Sequence, residues 1–571
     1  MGAILVQRPW LEHYDPGVPR TLSYPSMPLF GVLEESARKF PNRPAVILAG
    51  PQFSATLTYR QIDGLANRFA GALIDQGVRP GDRIALHLPN LPQFVFCFYG
   101  ALKAGAAVVP INPLYTSREL ARVLKNADPR VVVTLSRLAP QVDEALVELS
   151  GVQVIITEPY DYFPWLWRWI ARLRVRTQGS SARLRLATLL RRATPRPPKV
   201  HVEPDHLAVL QYTGGTTGVP KGAMLSHGNL MANCTQMRHW LSDLRDGEER
   251  FLAVVPFFHV YGLTVALNTA IAAGASVICV LMAMFDARRV AEAIARYRPT
   301  IFPGAPAVYL AINQLKDVRR YNLSSVKVCV SGSASLPRQV QAEFERLTGA
   351  TIVEGYGLTE ASPGTHTNPV HGRRKTGSIG LPLPDTDARI VDQDTGERDV
   401  APGEPGELLI RAPQVMQGYW RAPEETAATL RDGWLYTGDI ARMDEDGYFY
   451  IVDRKKDLVI VGGLKVYPRE IEELLLEHPK VREAVVVGVP HRVRGEQLVA
   501  QVVLKDGAGD AREIRRELIE FCRSRLASYK VPRRVRVVEA LPKTTVGKVP
   551  RREVRDREIR EAAAAQDAEE G

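Results

Sequence analysis

Cysteine is scarce in this chain of 571 residues, and none of its five cysteines is placed for metal binding or redox chemistry. Cys97, Cys234, Cys279, Cys329 and Cys522 are far apart and form neither a CxxC pair nor a Cys/His cluster. Most stand in apolar runs, where a cysteine usually behaves as a small buried hydrophobic residue. We therefore assign the cysteines no chemistry and expect a reducing, cytoplasmic location.

Export and lipidation signals are also lacking. The N-terminus MGAILVQRPW has no basic region followed by a long apolar one, and Val6 stands where myristoylation needs Ser or Thr. Charge is absent from residues 251–285, a stretch of 35 residues whose hydropathy alone would suggest a membrane span. Pro256, Gly262 and Gly274 cut this stretch into strand, loop, helix and strand lengths, so we predict a buried α/β core instead.

Positive charge is present but confined. The net charge is +11, and residues 161–200 supply +9 of it, from nine arginines and Lys199 against Asp161. A positive field restricted to one segment argues against a globally basic nucleic-acid-binding protein. We expect no nucleic-acid partner.

Residues 160–200, called the basic segment below, combine this charge with apolar residues at helical spacing. Three of the seven tryptophans of the protein lie here, Trp165, Trp167 and Trp169. Helical spacing joins Leu166, Trp169, Ile170 and Leu173 on one face, with Arg168 and Arg172 on the opposite face. Basic amphipathic helices of this kind suit the surface of an anionic bilayer. The other interpretation is a helical insertion that packs on its own domain with its arginines in solvent.

Apolar runs of strand length alternate with helical stretches over most of the chain. Examples are RIALHLP, AAVVPI, VVVTL, VQVIIT, LAVLQYT, ASVICV and VKVCVSGS. This alternation predicts α/β layers with buried parallel strands. After Asp453 the elements become shorter, with a hairpin-like stretch, the helix YPREIEELLLEH and the strand VREAVVVGVP. We predict an N-terminal domain over residues 1–453, with the basic segment as an insertion, and a small C-terminal domain over residues 454–571.

The strongest motif follows the apolar strand LAVLQ and reads YTGGTTGVPKG over residues 212–222. Glycines let backbone N–H groups approach an anion, threonine hydroxyls add donors, and a lysine adds charge. A Walker A pattern cannot be laid on this loop, because Pro220 lacks the amide hydrogen that the pattern needs. The candidate phosphate-binding residues are Thr213, Gly214, Gly215, Thr216, Thr217 and Lys221.

This loop resembles the signature of the adenylate-forming superfamily of acyl-CoA synthetases, luciferases and peptide-synthetase adenylation domains. Six further motifs of that superfamily follow in its order, and the resemblance covers residues 25–555. They are Phe257-Phe-His-Val-Tyr-Gly262, Ser331-Gly-Ser-Ala-Ser-Leu336, Glu354-Gly-Tyr-Gly-Leu-Thr-Glu360, Tyr436-Thr-Gly-Asp439, Asp453-Arg-Lys-Lys-Asp457 and Pro542-Lys-Thr-Thr-Val-Gly-Lys548. The implied fold is α/β: a large N-terminal domain of layered α/β sheets with a β-barrel-like subdomain, and a small mobile α+β C-terminal domain.

Within the superfamily, the run from Asp432 to Lys456 resembles the longer signature of bacterial long-chain fatty acyl-CoA synthetases. Gly214, and the run Asn112-Pro-Leu-Tyr-Thr, match the same subgroup. The implied reaction joins a fatty acid to CoA with ATP and Mg²⁺, through an acyl-adenylate, and releases AMP and diphosphate. Members of the superfamily are monomers or homodimers.

The resemblance also implies roles for single residues. Thr359 contacts the α-phosphate, Glu360 holds Mg²⁺, and the charge of Lys548 bridges the carboxylate and the α-phosphate during adenylation. His259 either orients the acyl end of the substrate or is an ordinary core histidine. The remaining implied roles are adenine binding by Ser333, Glu354, Gly355 and Tyr356, ribose binding by Asp439 and Arg454, a domain hinge at Lys456, and the lining of the thiol channel at Gly463.

Two rival functions remain open from the sequence. One is an enzyme of the same fold that ligates an aromatic acid or loads a carrier protein. The other is a membrane-binding or transport component whose ligase motifs have lost their activity. The intact Lys548, Glu360 and Asp439 argue against the second.

Overall fold

The chain divides into two compact units in the computed structural model. The model describes residues 8–50, 54–164, 183–194, 199–213, 220–282, 284–462, 464–491, 495–543 and 549–570. The first unit comprises Met1–Asp387 and Ile410–Leu435, and the second comprises Ala388–Leu409 and Tyr436–Gly571. The boundary that the sequence places at Arg454, as the start of a moving domain, stays a prediction.

Strands and helices alternate through the first unit, whereas the second begins with strands. The strands are β1 (Pro44–Ala49), β2 (Ser54–Thr58), β3 (Arg83–His87), β4 (Ala107–Pro110), β5 (Val131–Leu135), β6 (Gln153–Thr157), β7 (Leu184–Arg185), β8 (Leu207–Thr213), β9 (Lys221–Ser226), β10 (Arg250–Ala253), β11 (Ser276–Val280), β12 (Ile301–Gly304), β13 (Val328–Ser331), β14 (Thr351–Gly357), β15 (Gly364–Thr367), β16 (Leu381–Pro382), β17 (Asp387–Val391), β18 (Gly406–Arg411), β19 (Gly418–Tyr419), β20 (Leu430–Arg431), β21 (Trp434–Met443), β22 (Phe449–Arg454), β23 (Val459–Val461), β24 (Leu464–Val466), β25 (Val481–His491), β26 (Gly495–Leu504) and β27 (Arg534–Val537). The α-helices are α1 (Gly31–Lys39), α2 (Tyr59–Asp75), α3 (Pro92–Lys103), α4 (Ser117–Ala127), α5 (Ala139–Ala145), α6 (Leu186–Arg192), α7 (His227–Trp240), α8 (Thr269–Ala272), α9 (Ala287–Tyr297), α10 (Pro306–Asn313), α11 (Arg338–Thr348), α12 (Pro423–Thr429), α13 (Pro468–Glu477), α14 (Ala511–Arg523) and α15 (Arg551–Glu570).

Two large sheets organise the first unit. One has nine strands in the order β16-β15-β14-β13-β12-β10-β11-β1-β2, and the other has eight in the order β19-β9-β8-β4-β3-β5-β6-β7. Their central strands are parallel, and every residue of β4, β5 and β11 is buried. Strands covered on both faces read as continuous apolar runs, which is why the sequence pattern located them. The predicted α/β fold class is confirmed.

The charge-free stretch forms core from Phe251 to Val280, whereas Met284 and Phe285 at its end are exposed. It contains β10, a seven-residue π-helix over Gly262–Asn268, the short helix α8 and β11, and every residue of the π-helix is buried. No helix within the described ranges is both long and apolar enough to cross a bilayer. The prediction of a buried α/β core in place of a membrane span is confirmed.

The second half of the basic segment packs on the first unit. In α6 the side chains of Leu186 and Leu190 are buried, while Arg185 and Arg192 are exposed. The guanidinium of Arg68, on α2, donates to the carbonyl oxygens of Leu190 and Ala193 at 3.2 and 2.7 Å and so satisfies the end of the helix. Residues 165–182, which hold the tryptophans, lie outside the described residues.

The second unit has its own sheet and core. β24-β23-β26-β25 form a sheet that β27 extends by pairing with β26, and α13 and α14 pack their buried Ile471, Leu475, Ile514 and Leu518 against it. The helix predicted from YPREIEELLLEH and the strand predicted from VREAVVVGVP are α13 and β25. The small α+β C-terminal domain is confirmed as a fold.

Candidate active site

The two ends of the phosphate-binding motif face each other across an antiparallel strand pair. Thr213 ends β8, Lys221 begins β9, and the two residues are direct partners in the register. The loop that they bracket, with Gly214, Gly215, Thr216 and Thr217, lies outside the described residues. The strand predicted before the loop is therefore confirmed as β8. Its pairing with β9 places Thr213 beside Lys221.

Lys221 lies close to a tyrosine that the sequence did not single out. Its Nζ is 5.6 Å from the ring centroid of Tyr419, within the range of a cation–π contact, and 3.6 Å from a carboxylate oxygen of Glu425. The hydroxyl of Tyr419 donates to Oε1 of Glu360 at 2.7 Å. Lys221 and Glu360, the expected metal ligand, therefore both contact the side chain of Tyr419.

Glu360 lies on the single 3₁₀ turn Thr359–Ala361, which directly follows β14. No cluster of three or more His, Cys, Asp or Glu side chains that could hold a metal occurs among the described residues. A single carboxylate suits Mg²⁺, because this ion keeps several waters and takes its other ligands from substrate phosphates. Glu360 beside the phosphate-binding motif fits that mode of binding.

The expected adenine-binding residues lie on β14 and on the loop after β13. Ser333 in this loop has φ +74°, a left-handed conformation that is uncommon for serine and occurs more often at functional sites. Oε1 of the buried Glu354 accepts a hydrogen bond from the backbone N–H of Leu336 at 3.2 Å, so it ties the loop to the strand. Gly355 and Tyr356 follow Glu354 on β14.

Tyr356 has a histidine beside it. Its ring centroid is 6.0 Å from that of His366 on β15, and the rings stand nearly edge to face. Burial lowers the pKa of His366 to about 3, so the imidazole is neutral at physiological pH. A neutral ring at this place adds no charge beside the expected adenine pocket.

The acyl-pocket motif, residues 257–262, joins the adenine loop through Tyr261. Its hydroxyl donates to the carbonyl oxygen of Val330, at the end of β13, at 2.6 Å. His259 is half-buried, and its Nδ1 accepts a hydrogen bond from the backbone N–H of Tyr261 at 3.3 Å. The structure places His259 next to the site, and its role in orienting the acyl chain stays a prediction.

The π-helix begins at Gly262, where a side chain would have no room. A Cβ would lie 2.1 Å from the carbonyl oxygen of Pro256. Two residues later, the hydroxyl of Thr264 donates to the carbonyl oxygen of Ser362 at 2.7 Å, which links the π-helix to the turn that carries Glu360. π-helical turns are rare in proteins, and those that do occur are often found at functional sites. The sequence predicted a helix here but gave no sign of its widened form.

Asn90 is a second residue that sequence reasoning missed. Its Nδ2 donates to the carbonyl oxygens of Ala253 and Val255 at 3.0 and 2.9 Å, and its Oδ1 accepts from the backbone N–H of Phe257 at 2.7 Å. These three bonds fix the backbone that leads into the acyl-pocket motif. No motif marks Asn90, because its partners are distant in sequence.

In the second unit, the two expected ribose-binding residues form an ion pair. Asp439 on β21 and Arg454 on β22 are direct partners in the register, and Nε of Arg454 lies 2.6 Å from Oδ1 of Asp439. The Asp439 side chain is only 2% exposed, whereas that of Arg454 is 44% exposed. A buried carboxylate with a paired guanidinium is well held for accepting hydrogen bonds.

The expected hinge, Lys456, lies in the 3₁₀ turn Lys455–Asp457 that follows β22. Burial lowers the pKa of Lys456. The neighbouring Lys455 is held by Oε2 of Glu407, 2.7 Å from its Nζ. The turn therefore has one lysine fixed in an ion pair and one partly withdrawn from solvent.

Arg551, the first residue of α15, forms ion pairs with residues at the end of β22, in this turn and on α13. Its guanidinium lies 2.7 Å from Oδ1 of Asp453 and 3.4 Å from Oδ2 of Asp457, and it also pairs with Glu472 on α13. Burial alone would lower the pKa of Arg551, but the charges of Glu472 and Asp453 outweigh this effect and raise it. We call these four residues the Arg551 cluster.

Two expected site residues, Lys548 and Gly463, lie outside the described residues. Lysines near them in the sequence are described: Lys543 pairs with Glu483 at 2.8 Å, and Lys465 pairs with Asp394 at 2.8 Å. Lys465 is therefore a surface ion-pair residue within the second unit. The ammonium groups of both lysines are engaged on the surface of that unit.

Comparison with known proteins gives family matches over most of the chain. The model of the AMP-binding enzyme family matches residues 33–420, and that of the AMP-binding enzyme C-terminal domain matches residues 470–548. A long-chain-fatty-acid–CoA ligase of Bacillus subtilis (strain 168) is 45% identical, over 97% of this chain and 98% of its own. One of Escherichia coli O157:H7 is 36% identical, over 96% and 98%.

A solved structure shows the same fold with an intermediate bound. It is an anthranilate CoA ligase in complex with anthranoyl-AMP, with a TM-score of 0.83 and 29% identity, over 95% of this chain and 99% of its own. The likeness extends over both units.

Proposed function

Since the chain belongs to the AMP-binding enzyme family, we propose that it is an ATP-dependent, AMP-forming fatty acid–CoA ligase. The observation that carries the proposal is its 45% identity, over nearly its full length, to a long-chain-fatty-acid–CoA ligase. The juxtaposition of Lys221, Tyr419 and Glu360 supports it, because it combines a phosphate-binding motif with one carboxylate suited to Mg²⁺.

In the first half-reaction, the fatty acid carboxylate attacks the α-phosphorus of ATP, and diphosphate leaves. Two anions must approach, so the main requirement is positive charge and oriented donors. We assign the phosphates to the motif loop, Lys221 and Thr359, and the developing charge to Lys548. Mg²⁺ held by Glu360 supplies further charge neutralisation on the phosphates.

The nucleoside end is assigned to two sets of residues. Tyr356 stacks on adenine, with Ser333, Glu354 and Gly355 around it. Asp439 accepts hydrogen bonds from the ribose hydroxyls, with Arg454 beside it. The left-handed conformation of Ser333 supports its assignment, because such conformations cluster at functional sites. The assignment of Asp439 is supported by its burial and its ion pair with Arg454.

In the second half-reaction, the thiol of CoA attacks the acyl carbonyl of the adenylate, and AMP leaves. We assign the change between the two steps to a rotation of the C-terminal domain about Lys456, which withdraws Lys548 and brings Gly463 to the thiol channel. A short turn between regular elements is the type of position that absorbs such a rotation.

A second candidate, ligation of an aromatic acid, has one observation in its favour, the similarity to an anthranilate CoA ligase. The acceptor could also be a carrier protein in place of CoA. The experiment that decides is product analysis with ATP, Mg²⁺ and CoA, across fatty acids of graded length and a panel of aromatic acids. The proposal predicts acyl-CoA and AMP in equal amounts with fatty acids. Turnover of aromatic acids alone, or of fatty acids only with a carrier protein, would contradict it.

We further propose that the basic segment brings the enzyme to the anionic inner surface of the membrane, where free fatty acids partition. Because Leu186 and Leu190 are buried in the first unit, the contact would fall to residues 165–182 with their three tryptophans. Each basic residue near an anionic bilayer contributes about 1 kcal/mol, and salt screens this attraction.

The test is co-sedimentation with anionic and neutral vesicles for the wild type and for a variant with Arg168, Arg172, Arg174 and Arg176 changed to Gln. We expect salt-sensitive binding to anionic vesicles that the variant loses, with its activity on soluble substrates retained. Equal sedimentation of both proteins would favour a solvent-exposed insertion.

A further inference from the structure

Tyr419 touches both the metal side and the phosphate side of the site. Its hydroxyl donates to Oε1 of Glu360 at 2.7 Å, and Nζ of Lys221 lies 5.6 Å from its ring centroid. We propose that Tyr419 is a positioning residue that holds the Glu360 carboxylate in the orientation that binds the metal of the metal–ATP complex. This inference rests on the proposed function, since it takes Glu360 as the metal ligand.

The backbone holds both ends of this hydrogen bond in a fixed relation. Tyr419 lies on β19, which pairs with β9, the strand that begins at Lys221. Three residues before Tyr419, the backbone N–H of Met416 donates to the carbonyl oxygen of Glu360 at 2.8 Å. The N–H of Tyr419 itself donates to Oγ1 of Thr426 at 2.8 Å. The strand, the turn with Glu360 and the motif lysine are thus hydrogen-bonded into one frame.

The hydrogen bond from the Tyr419 hydroxyl restricts the orientation of the Glu360 carboxylate. A glutamate has three side-chain torsions, and a free one would have to be ordered each time a metal binds. A donor on Oε1 fixes the plane of the carboxylate and leaves Oε2 for the metal. A tyrosine phenol has an ordinary pKa of about 10, so its hydroxyl is protonated at physiological pH and can donate this hydrogen bond. Outer hydrogen bonds of this kind typically change metal affinity about 10–100-fold when removed.

The chain offers a matched control for this interaction. The hydroxyl of Tyr450 donates to Oδ2 of Asp444 at 3.0 Å, and the guanidinium carbon of Arg442 lies 4.3 Å from its ring centroid. Tyr450 is thus a tyrosine with a carboxylate acceptor and a cation over its ring, like Tyr419, but it lies in the second unit outside the expected site residues. Phenylalanine at either position removes only the hydroxyl and keeps the ring.

The experiment measures Mn²⁺ binding to the enzyme–ATP complex by electron paramagnetic resonance, so its readout does not depend on turnover. We expect Tyr419→Phe to weaken Mn²⁺ binding about 10–100-fold, while ATP binding without metal changes less than about twofold. Tyr450→Phe should bind Mn²⁺ as the wild type does. Equal Mn²⁺ affinity of Tyr419→Phe and Tyr450→Phe would overturn the proposal.

The variant Glu360→Gln distinguishes two outcomes: that Tyr419 does not position Glu360, and that Glu360 does not bind the metal. If Tyr419 acts through Glu360, the double variant Tyr419→Phe/Glu360→Gln binds Mn²⁺ no more weakly than Glu360→Gln alone. Additive losses would show an independent action of Tyr419 and overturn the inference. Unchanged Mn²⁺ affinity in Glu360→Gln would overturn both the inference and the role of Glu360 in the proposed function.

Discussion

Lys548→Ala is expected to slow acyl-adenylate formation by about two to three orders of magnitude, the usual effect of removing one preorganised electrostatic group. Its charge offsets the negative charge that develops at the α-phosphorus when two anions combine. Thioester formation from supplied acyl-adenylate and CoA should be spared, because that step is assigned to a geometry from which Lys548 has been withdrawn. The measurements are diphosphate exchange for the first step and rapid-quench thioester formation for the second.

Lys543→Ala is the control, since Lys543 stands in the same motif and its ammonium pairs with Glu483 at 2.8 Å. Surface pairs of this kind contribute little, and this variant should behave as the wild type in both steps. An equal loss in both half-reactions of Lys548→Ala, or the same loss in Lys543→Ala, would contradict the assignment.

Lys456→Pro is expected to block the second half-reaction and to leave the first intact. Proline fixes φ and removes a backbone N–H, with costs of about 3 kcal/mol where the required conformation is incompatible, which corresponds to about 100-fold or more in rate. Lys456 lies in the middle of the turn Lys455–Asp457, between β22 and β23, so a fixed φ at this residue restrains the backbone that joins the two strands. The measurement is acyl-adenylate accumulation beside acyl-CoA formation in one reaction.

Lys456→Ala separates the backbone from the side chain at this position. It removes the partly buried ammonium but leaves φ free. The hinge assignment requires a larger loss of the second step in the proline variant than in the alanine variant. If acyl-adenylate also fails to form in Lys456→Pro, the hinge at this residue loses its support.

The architecture could be predicted from the sequence where local pattern and tertiary environment agree. The apolar runs VVVTL and ASVICV became fully buried parallel strands, and Pro256, Gly262 and Gly274 correctly argued against a membrane span. The site residues of the first unit were proposed from family motifs that keep their order along the chain, and their roles stay predictions.

The residues that the sequence missed act through partners distant in the chain. Tyr419 reaches Glu360 across 59 positions, and Arg551 reaches Asp453 across 98. Neither has a periodic pattern or a composition that would mark it, since each is defined by what the fold brings beside it. The same reason applies to Asn90, whose acceptors lie at the end of β10 and just after it.

The interpretation of the basic segment was open for a related reason. Leucines at helical spacing look the same whether they face lipid or protein. In α6 the partner is protein, because Leu186 and Leu190 are buried and Arg68 closes the end of the helix. Spacing predicts an apolar face, but only the fold shows what covers it.

Fatty-acid-dependent exchange of labelled diphosphate into ATP, measured with Mg²⁺ and without CoA, tests the central claim most directly. An enzyme that forms an acyl-adenylate before CoA enters can run its first step backwards, so label should pass into ATP whenever a fatty acid is present. The exchange should stop when the fatty acid is omitted and fall about 10²–10³-fold in Lys548→Ala. Exchange that requires CoA, or formation of ADP in place of AMP, would contradict the account.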